Sequence, residues 1–132
     1  VKITADTNLL VRVLVEDDEA QAQAARAELS AATLVAIPVP VLCELVWVLA
    51  QGYRTPAPAI ADAIRRLIDS RHVVTDRPAS EAGLAQLDAG GDFADGAIAH
   101  AGSWLGADVF VSFDKKAVRL LSARGKPARL AS

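Results

Sequence analysis

Apolar residues recur along this chain at two spacings, and their alternation predicts a series of strands and helices. Lys2 to Asp6 reads as a short strand running directly into a helix whose apolar positions are Leu9, Leu10, Val13 and Leu14. Glu19 to Ser30, rich in Ala, Gln and Glu, has the composition of a second helix. The β-branched run Leu34 to Val39 predicts a buried strand ended by proline, and Pro40 suits the first turn of a helix over Val41–Gln51, closed by Gly52. From Pro58 to Asp69, Ile60, Ile64, Leu67 and Ile68 make one apolar helical face. His72 to Thr75 reads as a third strand, followed by helices over Ser80–Asp88 and Asp92–Leu105. Val109–Ser112 is the clearest strand. Lys115–Ser122 forms a short helix, and Ala128–Leu130 an edge strand.

Strands that alternate with helical segments imply an α/β domain in three layers, helices on both faces of a central parallel sheet of four to five strands. No repeat, low-complexity tract or linker divides residues 1–132, so a single domain is expected. Sheets of this kind bind ligands beyond the carboxyl ends of their strands. The residues at those ends are therefore the ones to weigh.

Composition narrows the class. With 52% hydrophobic and 23% charged residues, the chain is a folded globular protein rather than a disordered one. The single cysteine, Cys43, cannot form an internal disulfide, which points to a reducing cytoplasmic compartment; its neighbours Val41, Leu42 and Leu45 predict a buried thiol. No N-terminal stretch has the basic end, apolar centre and small-residue cleavage site of a signal peptide. The most apolar window, Leu34–Ala50, is short for a membrane span and is interrupted by Pro38, Pro40 and Glu44, so no membrane role is expected. A net charge of −2 does not advertise nucleic-acid binding, but its distribution does more: beyond Asp114 there is no acid, only Lys115, Lys116, Arg119, Arg124, Lys126 and Arg129.

Five carboxylates are candidates, four for the chemistry and Asp92 mainly for capping. Asp6 ends the first strand and Asp114 follows the fourth; either can also cap the helix behind it. Glu44 is the only charge between Leu34 and Ala50, in a helix apolar on every side, so burial beside a cation or in a salt bridge to Arg12 or Arg54 is expected. Asp92 and Asp95 open a helix with the spacing of a cap and an acid one turn later, which suits Asp92 to capping and leaves Asp95 to project into a crevice. Gly96 is unfavourable in a helix by about 1 kcal/mol relative to Ala, a cost that makes sense if something approaches the backbone there. Carboxylates gathered in a cleft repel one another unless a hard divalent cation joins them, and oxygen-only ligands point to Mg²⁺ or Mn²⁺. His72 and His100 do not make a zinc set. An acidic metal site with a basic flank suits a phosphate ester.

In order along the chain, Ala5-Asp6-Thr7-Asn8-Leu9-Leu10, Val41-Leu42-Cys43-Glu44-Leu45, Gly91-Asp92-Phe93-Ala94-Asp95 and Val111-Ser112-Phe113-Asp114-Lys115-Lys116-Ala117 resemble the PIN-domain family, and within it the VapC-like toxins of bacterial toxin–antitoxin pairs. The resemblance covers almost the whole sequence. It implies a metal-dependent endoribonuclease with Asp6, Glu44, Asp95 and Asp114 as the acidic quartet around Mg²⁺. Thr7, Asn8, Ser112 and Asp92 would orient carboxylates, water or substrate, and Lys115, Lys116 and Arg119 would hold RNA phosphates. It further implies a homodimer and a small cognate VapB-type antitoxin that covers the active site; tRNA or ribosomal RNA loops are the expected substrates. Gly96 departs from the pattern, where Ala is expected.

Other readings compete. A housekeeping PIN nuclease for RNA processing, a structure-specific DNA nuclease and a catalytically silent binding module all share the fold. A response-regulator receiver would need a pair of acids at the end of the first strand, and Asp6 has none beside it. A haloacid-dehalogenase-type phosphatase would need an acid two positions after Asp6, where this chain has Asn8.

Overall fold

The computed structural model describes all 132 residues. The chain runs β1 (Lys2–Thr4), α1 (Thr7–Val15), α2 (Glu19–Ala31), β2 (Leu34–Ala36), α3 (Val39–Trp47), α4 (Ala57–Ile68), β3 (Val73–Val74), α5 (Arg77–Asp88), α6 (Phe93–Trp104), β4 (Phe110–Ser112), α7 (Lys115–Ala123) and β5 (Ala128–Leu130). A π-helical turn, Val48–Gly52, prolongs α3. Every element expected from the hydrophobic pattern is present as its expected type. No helix is long and apolar enough to cross a membrane.

The fold is mixed α/β with parallel strands, as the pattern requires, but the five strands do not form one ladder. Three make a parallel sheet in the order β1-β2-β3, and β4 and β5 make a separate parallel pair. The expectation of one sheet of four to five strands is corrected accordingly. Each strand is only two or three residues long, so each offers few backbone groups for pairing.

The chain divides into two compact units, Val1–Arg77 and Pro78–Ser132. In the first, Ile3 pairs with Val35 and Val35 with Val73. Its core gathers Leu10, Val35, Ile37, Leu42, Leu45, Ile60 and Ile64, all at most 2% exposed. Proline sets two helix starts here: Pro40 lies in the first turn of α3 and Pro58 in that of α4, where the missing N–H costs nothing. The α1–α2 corner turns at Glu16, whose left-handed backbone ends α1 and whose carboxylate accepts a 2.6 Å bond from Arg26.

In the second unit Val111 pairs with Arg129 across β4 and β5. Phe93, Leu84 and Leu121 fill its core with at most 1% exposure. Two glycines allow α5 and α6 to lie close. A Cβ on Gly96 would press into the Ala82 carbonyl oxygen, and one on Gly83 would meet the Phe93 ring at 2.6 Å. Gly96 is therefore explained by the approach of a neighbouring helix.

Candidate active site

The second unit contains three of the carboxylates singled out in the sequence. Asp95 stands one turn into α6, half-buried, and its carboxyl is held above the ordinary range, first by burial and then by the negative charges of Asp92 and Asp114. The three are thus within electrostatic reach of one another.

Their local roles differ. Asp114 begins α7 and accepts a 2.9 Å bond from the Ala117 N–H, so it does cap its helix. Its own N–H donates to the Ser112 hydroxyl at 3.0 Å, which fixes the turn after β4. One carboxylate oxygen satisfies the helix; the other makes no hydrogen bond. Asp92 occupies the cap position of α6, yet its side chain makes no capping bond. The expectation that Asp92 is occupied by capping is corrected: only its backbone serves the helix, its carbonyl accepting from the Asp95 N–H at 3.1 Å. The Asp92 carboxylate is exposed and left over, adding charge beside Asp95.

Asp6 and Glu44 belong to the first unit. Asp6 lies just beyond β1 at the cap of α1, and its Oδ1 accepts from the adjacent Thr7 N–H at 2.8 Å. A helix cap more often reaches the second or third N–H. Asp6 and Asn8 line an open cleft between α1 and α2, together with Arg12, Gln21 and Glu28. The Thr7 hydroxyl is buried without a hydrogen-bond partner, so Thr7 orients Asp6 through its backbone rather than its side chain. Asn8 is exposed.

Glu44 corrects another expectation. It is exposed on α3, where Leu42, Leu45 and Val46 are buried. The uniform apolar run concealed the phase of the helix: Glu44 and Trp47, the latter 65% exposed, share its open side at a spacing of three residues. Nor does Glu44 meet Arg12 or Arg54. Arg12 instead pairs with Asp17 at 2.6 Å, and Asp17 also accepts from the Tyr53 hydroxyl at 3.0 Å. Cys43, expected to be buried, is half-buried.

Within neither unit do three or more carboxylate, histidine or cysteine side chains converge tightly enough to share a metal ion. The chemistry of the second unit's cluster nevertheless fits one. Its donors are all carboxylate oxygens, no lysine or arginine pairs with Asp92, Asp95 or Asp114, and their mutual repulsion raises the proton affinity of Asp95. Lys115, Lys116 and Arg119, all exposed, continue from Asp114 along α7.

The PIN domain family model matches residues 3–121, and the chain belongs to that family. No curated protein matches it, and no solved structure does. PIN domains are generally metal-dependent nucleases, typically using Mg²⁺ or Mn²⁺. A nuclease-type function is therefore the coarse assignment for this chain.

A buried polar feature the pattern did not reveal is Gln86. It is fully buried in α5, and its side-chain oxygen accepts from Arg124 while its Nε2 has no partner. A buried amide between apolar neighbours gives no periodic signal, and only the half-satisfied group in the fold exposes it.

Proposed function

We propose that the protein is an Mg²⁺-dependent endoribonuclease, the toxin of a VapBC-type pair, acting in the cytoplasm as a homodimer restrained by a small antitoxin. The observation that carries the nuclease reading is the uncompensated carboxylate cluster: Asp95 held above its ordinary proton affinity by burial, Asp92 and Asp114. The toxin role, the antitoxin and the dimer rest on the family resemblance alone.

Asp6, Asp95 and Asp114 would hold the cation directly or through water, Asp6 by its place in the family motif, with Asp92 adjusting the charge around it. Glu44, placed likewise by its motif, would either complete the shell or help activate the attacking water. When bound, the cation would supply Lewis acidity toward a phosphate oxygen. Ser112 and Thr7 act through the turns they fix, Ser112 by receiving the Asp114 N–H and Thr7 by donating its own to Asp6. Asn8 reaches substrate from the exposed side of α1. Lys115, Lys116 and Arg119 hold phosphates beside the one that is cut, and the exposed loops of tRNA or ribosomal RNA are the substrates that could reach them.

Purified protein freed of any antitoxin should cut a discrete species in total RNA with Mg²⁺ or Mn²⁺, and lose that activity with excess EDTA. An Asp6→Asn, Asp95→Asn double variant should be inactive. Undiminished cleavage by that variant would remove the carboxylates from the mechanism. The toxin role has its own test: expression of the wild type should arrest growth, and the variant should not.

A further inference from the structure

The second unit contains a pocket of about 170 Å³ that the carboxylates do not use. It opens at the amino-terminal end of β4, where Asp108, Val109 and Phe110 line it, whereas Asp114 follows the carboxyl end of the same strand. A cavity near 150 Å³ accepts one benzene-sized ring, and drug-sized ligands need about 300 Å³ or more. This one therefore suits a single small ring system.

Ala99 and Gly102 of α6, with Phe110 and Leu121, give its lining a small and apolar part. His100 and Ser103 are polar, and Arg124 and Lys126 add two cations. Arg124 is not a loose surface cation. Its guanidinium donates to the oxygen of Gln86, a side chain with no exposure, so its position is fixed from the interior. Holding that oxygen on Arg124 accounts for the amide nitrogen left unpartnered. Lys126 makes no ion pair, and neither does Asp108, the pocket's one carboxylate.

We propose that this pocket is a subsite for one unstacked nucleotide of single-stranded RNA. The base packs against the small residues and Phe110, and the attached phosphate is met by Arg124 and Lys126. Single-stranded RNA is read in this manner, by splayed bases against aromatic and guanidinium planes. Asp108, which only accepts hydrogen bonds when ionised, receives an N–H from the base edge. Every base carries such a donor, uracil at N3, so this contact does not by itself choose among them. As a contact away from the scissile phosphate, the subsite rests on the ribonuclease reading; as a binding pocket it is independent of cleavage.

Calorimetric titration in excess EDTA, which silences any cleavage, separates the two. The probes are the four nucleoside 5′-monophosphates and a short single-stranded RNA of mixed sequence. One nucleotide should bind per chain, and the RNA should compete. Lys126→Ala should weaken binding by about ten-fold, the effect of one charge-assisted hydrogen bond. Gly102→Leu should abolish it. A Cβ at Gly102 has nothing within 4 Å, so that variant should keep the wild-type circular dichroism and melt no lower than the wild type. Absence of nucleotide binding, or binding indifferent to both substitutions, would overturn the subsite. Mononucleotide binding that RNA fails to displace would overturn its role in RNA recognition. A protein inactive on RNA with Mg²⁺ but binding nucleotides in EDTA would instead refute the nuclease reading and leave the pocket standing.

Discussion

At the scale of single residues, the capping observed at Asp114 and the catalysis proposed for it can be separated by substitution. Asn caps about as well as Asp, whereas Ala loses roughly 1 kcal/mol at such a position. Asp114→Asn should therefore keep the melting temperature within a degree or so of wild type while RNA cleavage falls by more than the roughly 10–100-fold seen for outer-shell partners of metals. Asp114→Ala should lose both; if Asp114→Asn cleaves normally, the residue is only a cap. Asp95 makes the second prediction. Its folded-state affinity for a proton exceeds that of the unfolded chain, where the ordinary value is 3.8. Stability of the metal-free protein should then fall as pH rises from that value through the raised folded-state one, because ionisation is disfavoured only in the fold. Thermal melts in EDTA should show this decline in wild type and not in Asp95→Asn, and parallel profiles would contradict it. The helix-start positions of Asp6, Asp95 and Asp114 were legible because each sits where a strand or loop turns into a helix. Glu44 was misjudged, since one charge in a uniformly apolar run says nothing of which way it faces. Asp92 was misjudged for a related reason: spacing locates a cap but not whether the side chain makes its bond.

At the scale of elements, two glycines of one helix carry opposite expectations. Gly96 and Gly102 both lie in α6, where Ala is better than Gly by about 1 kcal/mol in the absence of other contacts. A Cβ at Gly102 meets open space, so Gly102→Ala should stabilise by up to about that amount. A Cβ at Gly96 collides with the α5 backbone at Ala82 and lies 2.8 Å from Gln86 Cβ. Overpacking of that kind costs about 1–3 kcal/mol, so Gly96→Ala should lower stability despite the better helix former. Denaturant titration of the two variants decides, and a stabilised Gly96→Ala would mean α5 and α6 are not so closely packed. The helices themselves were readable because several independent signals agree in each. α4 has its apolar stripe at Ile60, Ile64, Leu67 and Ile68 and a proline in its first turn. Strand pairing was less readable: β3 is two residues long, and nothing in Val73-Val74 specifies a neighbour. The close approach at Gly96 showed in sequence only as a misplaced glycine, its partners Ala82 and Gln86 lying in another helix.

At the scale of the whole molecule, the distribution of charge matters more than its sum. The chain has 14 cationic and 16 acidic residues, and six of the cations fall after Asp114, where no acid remains. The rest of the chain is therefore strongly acidic, with eight cations against sixteen acids, and repels a polyanion. An RNA can be held only where the cations are concentrated, and Lys115, Lys116 and Arg119 are exposed at the start of that stretch, adjoining Asp114. Each single-strand phosphate neutralised contributes about −0.7 to the slope of log affinity against log salt concentration. With these three engaged, and a fourth phosphate met by Arg124 and Lys126, the slope for an RNA oligonucleotide bound to the inactive Asp6→Asn, Asp95→Asn protein should be about −3. A Lys115→Ala, Lys116→Ala double substitution should flatten it by about 1.4 and weaken binding at low salt far more than at high salt. Neither lysine is buried or bonded to another side chain, so the fold should be unaffected. A slope unchanged by the double substitution would place the RNA on another part of the molecule. A slope near zero in both proteins would mean that phosphate contacts do not hold it, and base contacts would then have to supply the affinity.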